Sequence, residues 1–131
     1  IEALNSKKYD FLRINFPNGD MVGHTGNYEA TVKAIEAVDV NLGRIMECVN
    51  KNNAILIVLA DHGNAEEMLD KNGVVKTSHT INPVPFIIYG NNIDNIKIKN
   101  GDYGLANVAS SITTLLDINK NPLWEESIIK K

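Results

Sequence analysis

The sequence predicts an α/β fold, and three stretches predict it. Residues 55–60 and 86–89 are short apolar runs, rich in β-branched or aromatic side chains and without polar alternation. That is the pattern of strands buried on both faces. Residues 28–52 carry apolar side chains at helical spacing. The first apolar run stops abruptly at Asp61-His62-Gly63. In open α/β sheets, ligands bind just beyond the carboxyl ends of such strands.

Composition sets the outer limits. A chain of 131 residues is one domain's worth, or a piece of a larger domain, and can bury a respectable core. Hydrophobic content of 44% and charged content of 22% belong to a soluble globular protein. The formal net charge of -3 offers no electrostatic case for nucleic acid or an anionic membrane. No apolar stretch is long enough to span a bilayer, and residues 1–10 lack the apolar core of a signal peptide. Cys48, without a second cysteine, cannot form an intramolecular disulfide. Within a helical pattern it reads as a small buried side chain and fits a reducing compartment. The chain opens on Ile1 with a strand expected soon after, so the natural polypeptide is expected to begin further upstream.

In chain order, residues 9–16 (YDFLRINF) alternate roughly and predict a strand, which Pro17 should end because it cannot donate to a ladder. Residues 18–27 predict a loop by their glycines and asparagines. Asp20 and His24 are four apart, so one helical turn or a tight loop puts both on one side, as a shared metal would require. Thr25 or Asn27 can cap the helix that follows. Val32, Ile35, Val38, Leu42, Ile45, Met46 and Val49 fall within an arc of about 140° on that helix and predict its core face. Asp39 lies inside the arc, where a carboxylate is costly unless hydrogen-bonded. It either ties down the loop of Asp20 and His24 or reaches solvent from the arc's edge.

After the central strand, residues 64–69 predict a short helical turn, and Asp70-Lys71-Asn72-Gly73 a turn with Val74-Val75 as a hairpin arm. Pro83 and Pro85 stiffen the loop that carries His79 into the second strand. Ile96 to Lys99 alternate briefly. Residues 105–116 predict a helix with Leu105, Val108, Ala109, Ile112, Leu115 and Leu116 on one face. The tail from Pro122 is expected to pack back on the sheet.

Any one of these histidines, taken alone, reads as a surface residue, and a lone Asp-His-Gly reads as a polar turn. Together, His24, His62 and His79 all lie in loops near predicted strand ends, each close to a glycine or proline. Neutral imidazole and carboxylate suit a divalent transition metal. Asp20, His24, Asp61, His62 and His79 are more ligands than one tetrahedral metal takes, so they suggest one full site and part of a second. A paired site can clamp the attacking and leaving oxygens of phosphoryl transfer. The chain has neither a GxxxxGK[ST] nor a GxGxxG string, so no nucleotide-cradling loop is indicated. The residues by themselves reach a metal-dependent hydrolase or phosphotransferase.

The strings FPNGDMVGHTGNYEATVKAIEAVD (16–39), LADHGNAEEM (59–68) and TSHTINPVPFIIYG (77–90) closely resemble the 2,3-bisphosphoglycerate-independent phosphoglycerate mutases of the alkaline phosphatase superfamily. The resemblance runs over nearly the whole chain. It implies an alkaline-phosphatase-like three-layer sandwich with a mostly parallel sheet, of which residues 1–131 are the carboxy-terminal part of the phosphatase domain. It implies two divalent ions, with Mn2+ expected. Asp20, His24 and His79 match the ligands of one, and Asp61 and His62 match ligands of the other. In the intact family, a metal-activated serine takes the phosphoryl group of 3-phosphoglycerate and returns it to the 2-hydroxyl.

The family's nucleophile motif, second aspartate ligand, transferase domain and substrate-contacting lysine have no counterpart here. Ser6, Ser78, Ser110, Ser111 and Ser127 lie in nothing like the nucleophile motif. The fragment is therefore expected to supply metal ligands and to be inactive alone. The intact enzyme is expected to be cytoplasmic and monomeric, with phosphoglycerate as its small-molecule partner. The alternatives are a phosphopentomutase or metal-dependent phosphatase of the same superfamily, and a metal-binding module without catalysis.

Overall fold

The computed structural model describes all 131 residues. The chain divides into two compact units, Ile1–Asn91 and Asn92–Lys131. The first contains helices α1 (Glu2–Ser6), α2 (Asn18–Gly23) and α3 (Tyr28–Lys51) and strands β1 (Leu56–Leu59) and β2 (Phe86–Tyr89). The second contains β3 (Lys97–Ile98), a 3-10 turn (Leu105–Asn107) leading into α4 (Val108–Leu115), and β4 (Ile129–Lys130). The chain is thus α/β, with no helix long and apolar enough to cross a membrane.

Helix α3 is closed at both ends by local chemistry. The Asn27 side chain accepts the Ala30 N–H at 3.0 Å. At the other end Asn53 takes φ 52, and Ala54 N–H reaches back to Val49 C=O at 3.0 Å. This is a Schellman closure with asparagine in the left-handed position. The predicted core face is covered unevenly: Val49 is buried, but Val32 and Ile35 are exposed. Asp39 is also exposed and bonds to nothing in the Asp20–His24 segment, so it reaches solvent.

Residues 18–27 are not simply a loop. Their first six form α2, which starts at Pro17 and closes with His24 N–H donating to Asp20 C=O at 3.1 Å. Gly19 and Gly23, read as loop signals, are instead close-packing positions. A Cβ on Gly19 would come within 2.8 Å of Ile35 Cδ1 on α3, and one on Gly23 would strike the Asn64 amide.

Residues 9–16 form no strand, because no segment of the chain pairs with them. Tyr9, Phe11, Leu12 and Ile14 are all exposed. Nor are the two strands buried on both faces: Leu59 and Ile87 are exposed, since the chain supplies no layer over them. The pair they form is antiparallel, with Leu56 opposite Tyr89 and Leu59 opposite Phe86. A parallel pair needs a crossover, usually a helix. Residues 60–85 instead run through turns and a short hairpin around Asp70–Gly73. The consequence for function is direct: the segment leaving β1 and the segment entering β2 emerge at the same end.

In the second unit β3 and β4 pair antiparallel, and Ile129 is almost fully buried. The tail therefore packs within its own unit, on β3 and α4. The best-buried positions of α4 are Ser110 and Ser111, not the predicted apolar face, whose Leu105 and Ala109 are exposed. Small side chains let the tail come close, and Ser111 Oγ accepts the buried Ile128 N–H at 2.9 Å.

Candidate metal centre

Three segments of the first unit deliver the predicted ligands. Helix α2 carries Asp20 and, one turn later, His24 at its carboxyl end, with Asp20 Oδ1 3.1 Å from His24 Nε2. The turn after β1 carries Asp61 and His62. The extended segment ahead of β2 carries His79, and its Thr80 N–H donates to Gly63 C=O at 2.9 Å. The prolines are thus not alone in holding it: a backbone bridge pins it to the His62 turn.

Four of the five predicted residues come together. His79 Nε2 lies 3.0 Å from Asp20 Oδ1 and 3.1 Å from His24 Nε2. The His62 and His79 rings stack with centroids 3.6 Å apart and planes 18° from parallel. Asp20, His62 and His79 each place a ligand atom within 4.8 Å of the others'. Asp61 stands at the rim, 3.6 Å from His62 Nε2 and with its side chain 75% exposed. Its carboxylate is available but is not drawn into the cluster.

The donor chemistry fits a divalent cation. His24 Nδ1 is 2.6 Å from the Thr77 carbonyl, which can only accept. Nδ1 therefore carries the proton, and in the neutral ring Nε2 is the bare nitrogen, aimed at Asp20 and His79. A ligating histidine is oriented by just such a bond on its other nitrogen. His62 Nδ1 makes a longer approach, 3.3 Å, to the Gly63 carbonyl. Donor atoms about 2.1 Å from a shared ion sit about 3.0–3.4 Å apart in octahedral or tetrahedral geometry. The spacings of 3.0–3.1 Å among Asp20, His24 and His79 are of that size.

Asp20 is held as a carboxylate. The Asn64 amide donates to its Oδ1 at 2.9 Å, which lowers its pKa most, and His24 and His79 lower it further against the opposing cost of desolvation. Asn64 is buried and was not singled out in the sequence; it does what was suggested for Asp39. Glu66 was missed as well. Its pKa is lowered to about 2, chiefly by the Thr80 hydroxyl and then by the Asn82 amide and nearby backbone N–H groups. Glu67 pairs with Lys76 at 2.6 Å and accepts from Asn82 at 2.9 Å. The proximity of Asn64 and Glu66 to Asp61-His62-Gly63 was the available signal, but the partners of both lie far along the chain.

The family model described as "Metalloenzyme superfamily" matches residues 1–120. The chain belongs to the metalloenzyme superfamily. Among curated members it is 50% identical over 121 residues to the 2,3-bisphosphoglycerate-independent phosphoglycerate mutase of Ehrlichia ruminantium (strain Gardel), covering 92% of this chain and 24% of that protein. It is 46% identical over 131 residues to the enzyme of that name from Mycoplasma genitalium, covering 99% and 25%. A crystal structure of Leishmania mexicana phosphoglycerate mutase at low cobalt concentration superposes with a TM-score of 0.89 at 42% identity, over 98% of this chain and 26% of that one. The chain thus shares the fold of the corresponding part of that protein and spans about a quarter of the length of the relatives it matches.

Proposed function

We propose that residues 1–131 are the carboxy-terminal part of the metal-binding phosphatase domain of a 2,3-bisphosphoglycerate-independent phosphoglycerate mutase. The intact protein would be a cytoplasmic, monomeric enzyme of glycolysis and gluconeogenesis that interconverts 3- and 2-phosphoglycerate through a phosphoserine. The observation that carries this reading is the convergence of Asp20 Oδ1, His24 Nε2 and His79 Nε2 at 3.0–3.1 Å, beside the stacked His62. Half-identical mutases support it.

In this reading Asp20, His24 and His79 hold one divalent ion, Mn2+ in the cell. Asp61 and His62 contribute to a second. The ions, when bound, neutralise phosphate charge and lower the pKa of a coordinated hydroxyl. The residues of this chain supply position and protonation state. The Thr77 carbonyl keeps the proton of His24 on Nδ1, and Asn64 keeps Asp20 ionised and aimed inward. Ser110, Ser111 and Ser127 do not act as the nucleophile in this reading, since they are buried and bonded to backbone in the second unit.

The test is metal analysis and turnover on the full-length natural polypeptide. Two bound transition ions, and conversion of 3-phosphoglycerate that EDTA abolishes and Mn2+ restores, are the expected result. A protein that binds such ions but turns over only a phosphopentose or a generic phosphate ester would move the assignment within the superfamily. A protein that binds ions and acts on none of these would make it a binding module.

A further inference from the structure

The carboxylate of Glu66 touches none of the ligand atoms, yet it gathers donors from two loops. Oε2 accepts the Asn64 N–H at 2.5 Å. Oε1 accepts the Thr80 hydroxyl and, at 3.0 Å, the Asn82 amide. Asn64 lies two residues after His62, and Thr80 directly follows His79. Beside the ligands the backbones of these loops are joined by Thr80 N–H to Gly63 C=O, and further out by Lys76 N–H to Met68 C=O. A Cβ on Gly63 would collide with both the Thr80 hydroxyl and the Glu66 carboxylate, so glycine there lets the loops close. Glu66 is itself exposed, and an exposed carboxylate is ordinarily satisfied by water. Three protein donors on one such group make it a tie between loops.

We propose that Glu66 is a positioning residue for the metal centre: through Thr80, Asn82 and the Asn64 amide it holds His79 against His62. This rests on the metal-binding reading above. A charged hub serves the purpose better than an amide, because both of its oxygens accept. Groups that orient ligands in this way change metal affinity by about 10–100-fold when removed.

The test is a Co2+ titration of the full-length natural polypeptide, read by calorimetry and by the visible absorption of the bound ion. E66Q keeps the size of the side chain but replaces one accepting oxygen with an NH2 that faces other donors. It is expected to weaken Co2+ binding by about tenfold or more and to shift the visible band, because His79 moves. T80V removes one donor and shifts both readings the same way by less; it decides alone if E66Q does not fold. K76M breaks the neighbouring pair with Glu67 and leaves both readings at wild type. Unchanged affinity and spectrum in E66Q and T80V overturn the inference and leave the metal reading standing. Equal weakening in K76M marks a general loosening and also overturns it. A wild-type polypeptide that takes up no Co2+ overturns both.

Discussion

The two units each draw polar side chains together, to opposite ends. Around α4 the side chains of Asn107 and Ser111 are bonded to backbone groups. Asn107 Oδ1 takes the Gly104 N–H at 2.8 Å, its amide gives to the Glu126 carbonyl at 2.9 Å, and Ser111 serves both Asn107 and Ile128. The network is neutral and closed on itself, which is what buried polar groups need to be tolerated. Around Asp20 the bonds at the periphery are equally well made, but they point ring nitrogens and a carboxylate at one another. His24 Nε2 and His79 Nε2 face each other at 3.1 Å, with Asp20 Oδ1 within 3.1 Å of both, a spacing that suits a shared cation. A closed neutral network stabilises a tail; a cluster of ligand atoms pre-arranged by its surroundings is what the proposed metal site requires.

Substitutions in the two units should therefore separate affinity from stability. The largest expected effect is on affinity. H79A, which deletes a donor shared by Asp20 and His24, should weaken Mn2+ or Co2+ binding by more than about 100-fold, beyond what merely orienting groups cost. Because His79 is exposed, the melting temperature of the metal-free protein should hardly move. Calorimetry and thermal melts on one preparation check both halves.

S111A should do the reverse. It leaves the buried Ile128 N–H without its acceptor, a loss of about 1–3 kcal/mol. Urea unfolding should register it while metal affinity stays at the wild-type value. An affinity loss in S111A would erase the distinction between the units.

G23A probes the link between α2 and the metal turn. The new Cβ would strike Asn64 and push its amide off Asp20, so affinity should fall by about tenfold. N64A in the same background should add little further, because the contact is already lost.

The smallest effect concerns acid. The folded pKa of Glu66, about 2, lies below its ordinary value of 4.5. Its contribution to stability is therefore complete above about pH 4.5 and drains away as pH falls toward about 2. Hydrogen exchange at the Thr80 N–H, compared between wild type and E66Q over that interval, should show protection converging as the carboxyl protonates. Protection that stays different at the acid end would mean the tie does not depend on the charge.

The features legible in the sequence were those whose causes are local. The end of β1 at Asp61-His62-Gly63, the cap of α3 by Asn27 and the turn at Asp70–Gly73 all stand where their residues predict. The pairing of Asp20 with His24 followed from a spacing of four, whether the backbone there was loop or helix. The misreadings share one origin. Gly19 and Gly23 looked like loop residues because their service is to neighbours on α3 and at Asn64. Residues 9–16 looked like a strand because alternation records which faces a segment could bury, not whether a partner is there to pair with it.

What the sequence by itself determined was the set of donors and their placement at element ends, since residue type and short spacing are written along the chain. The tertiary structure decided how those donors meet. The antiparallel sense of β1 and β2 brings the segment before one strand beside the segment after the other, and that carries His79 to His62. Asn64 and Glu66 then complete the arrangement through partners 44 and 14–16 positions away, a distance over which periodicity and propensity hold no information.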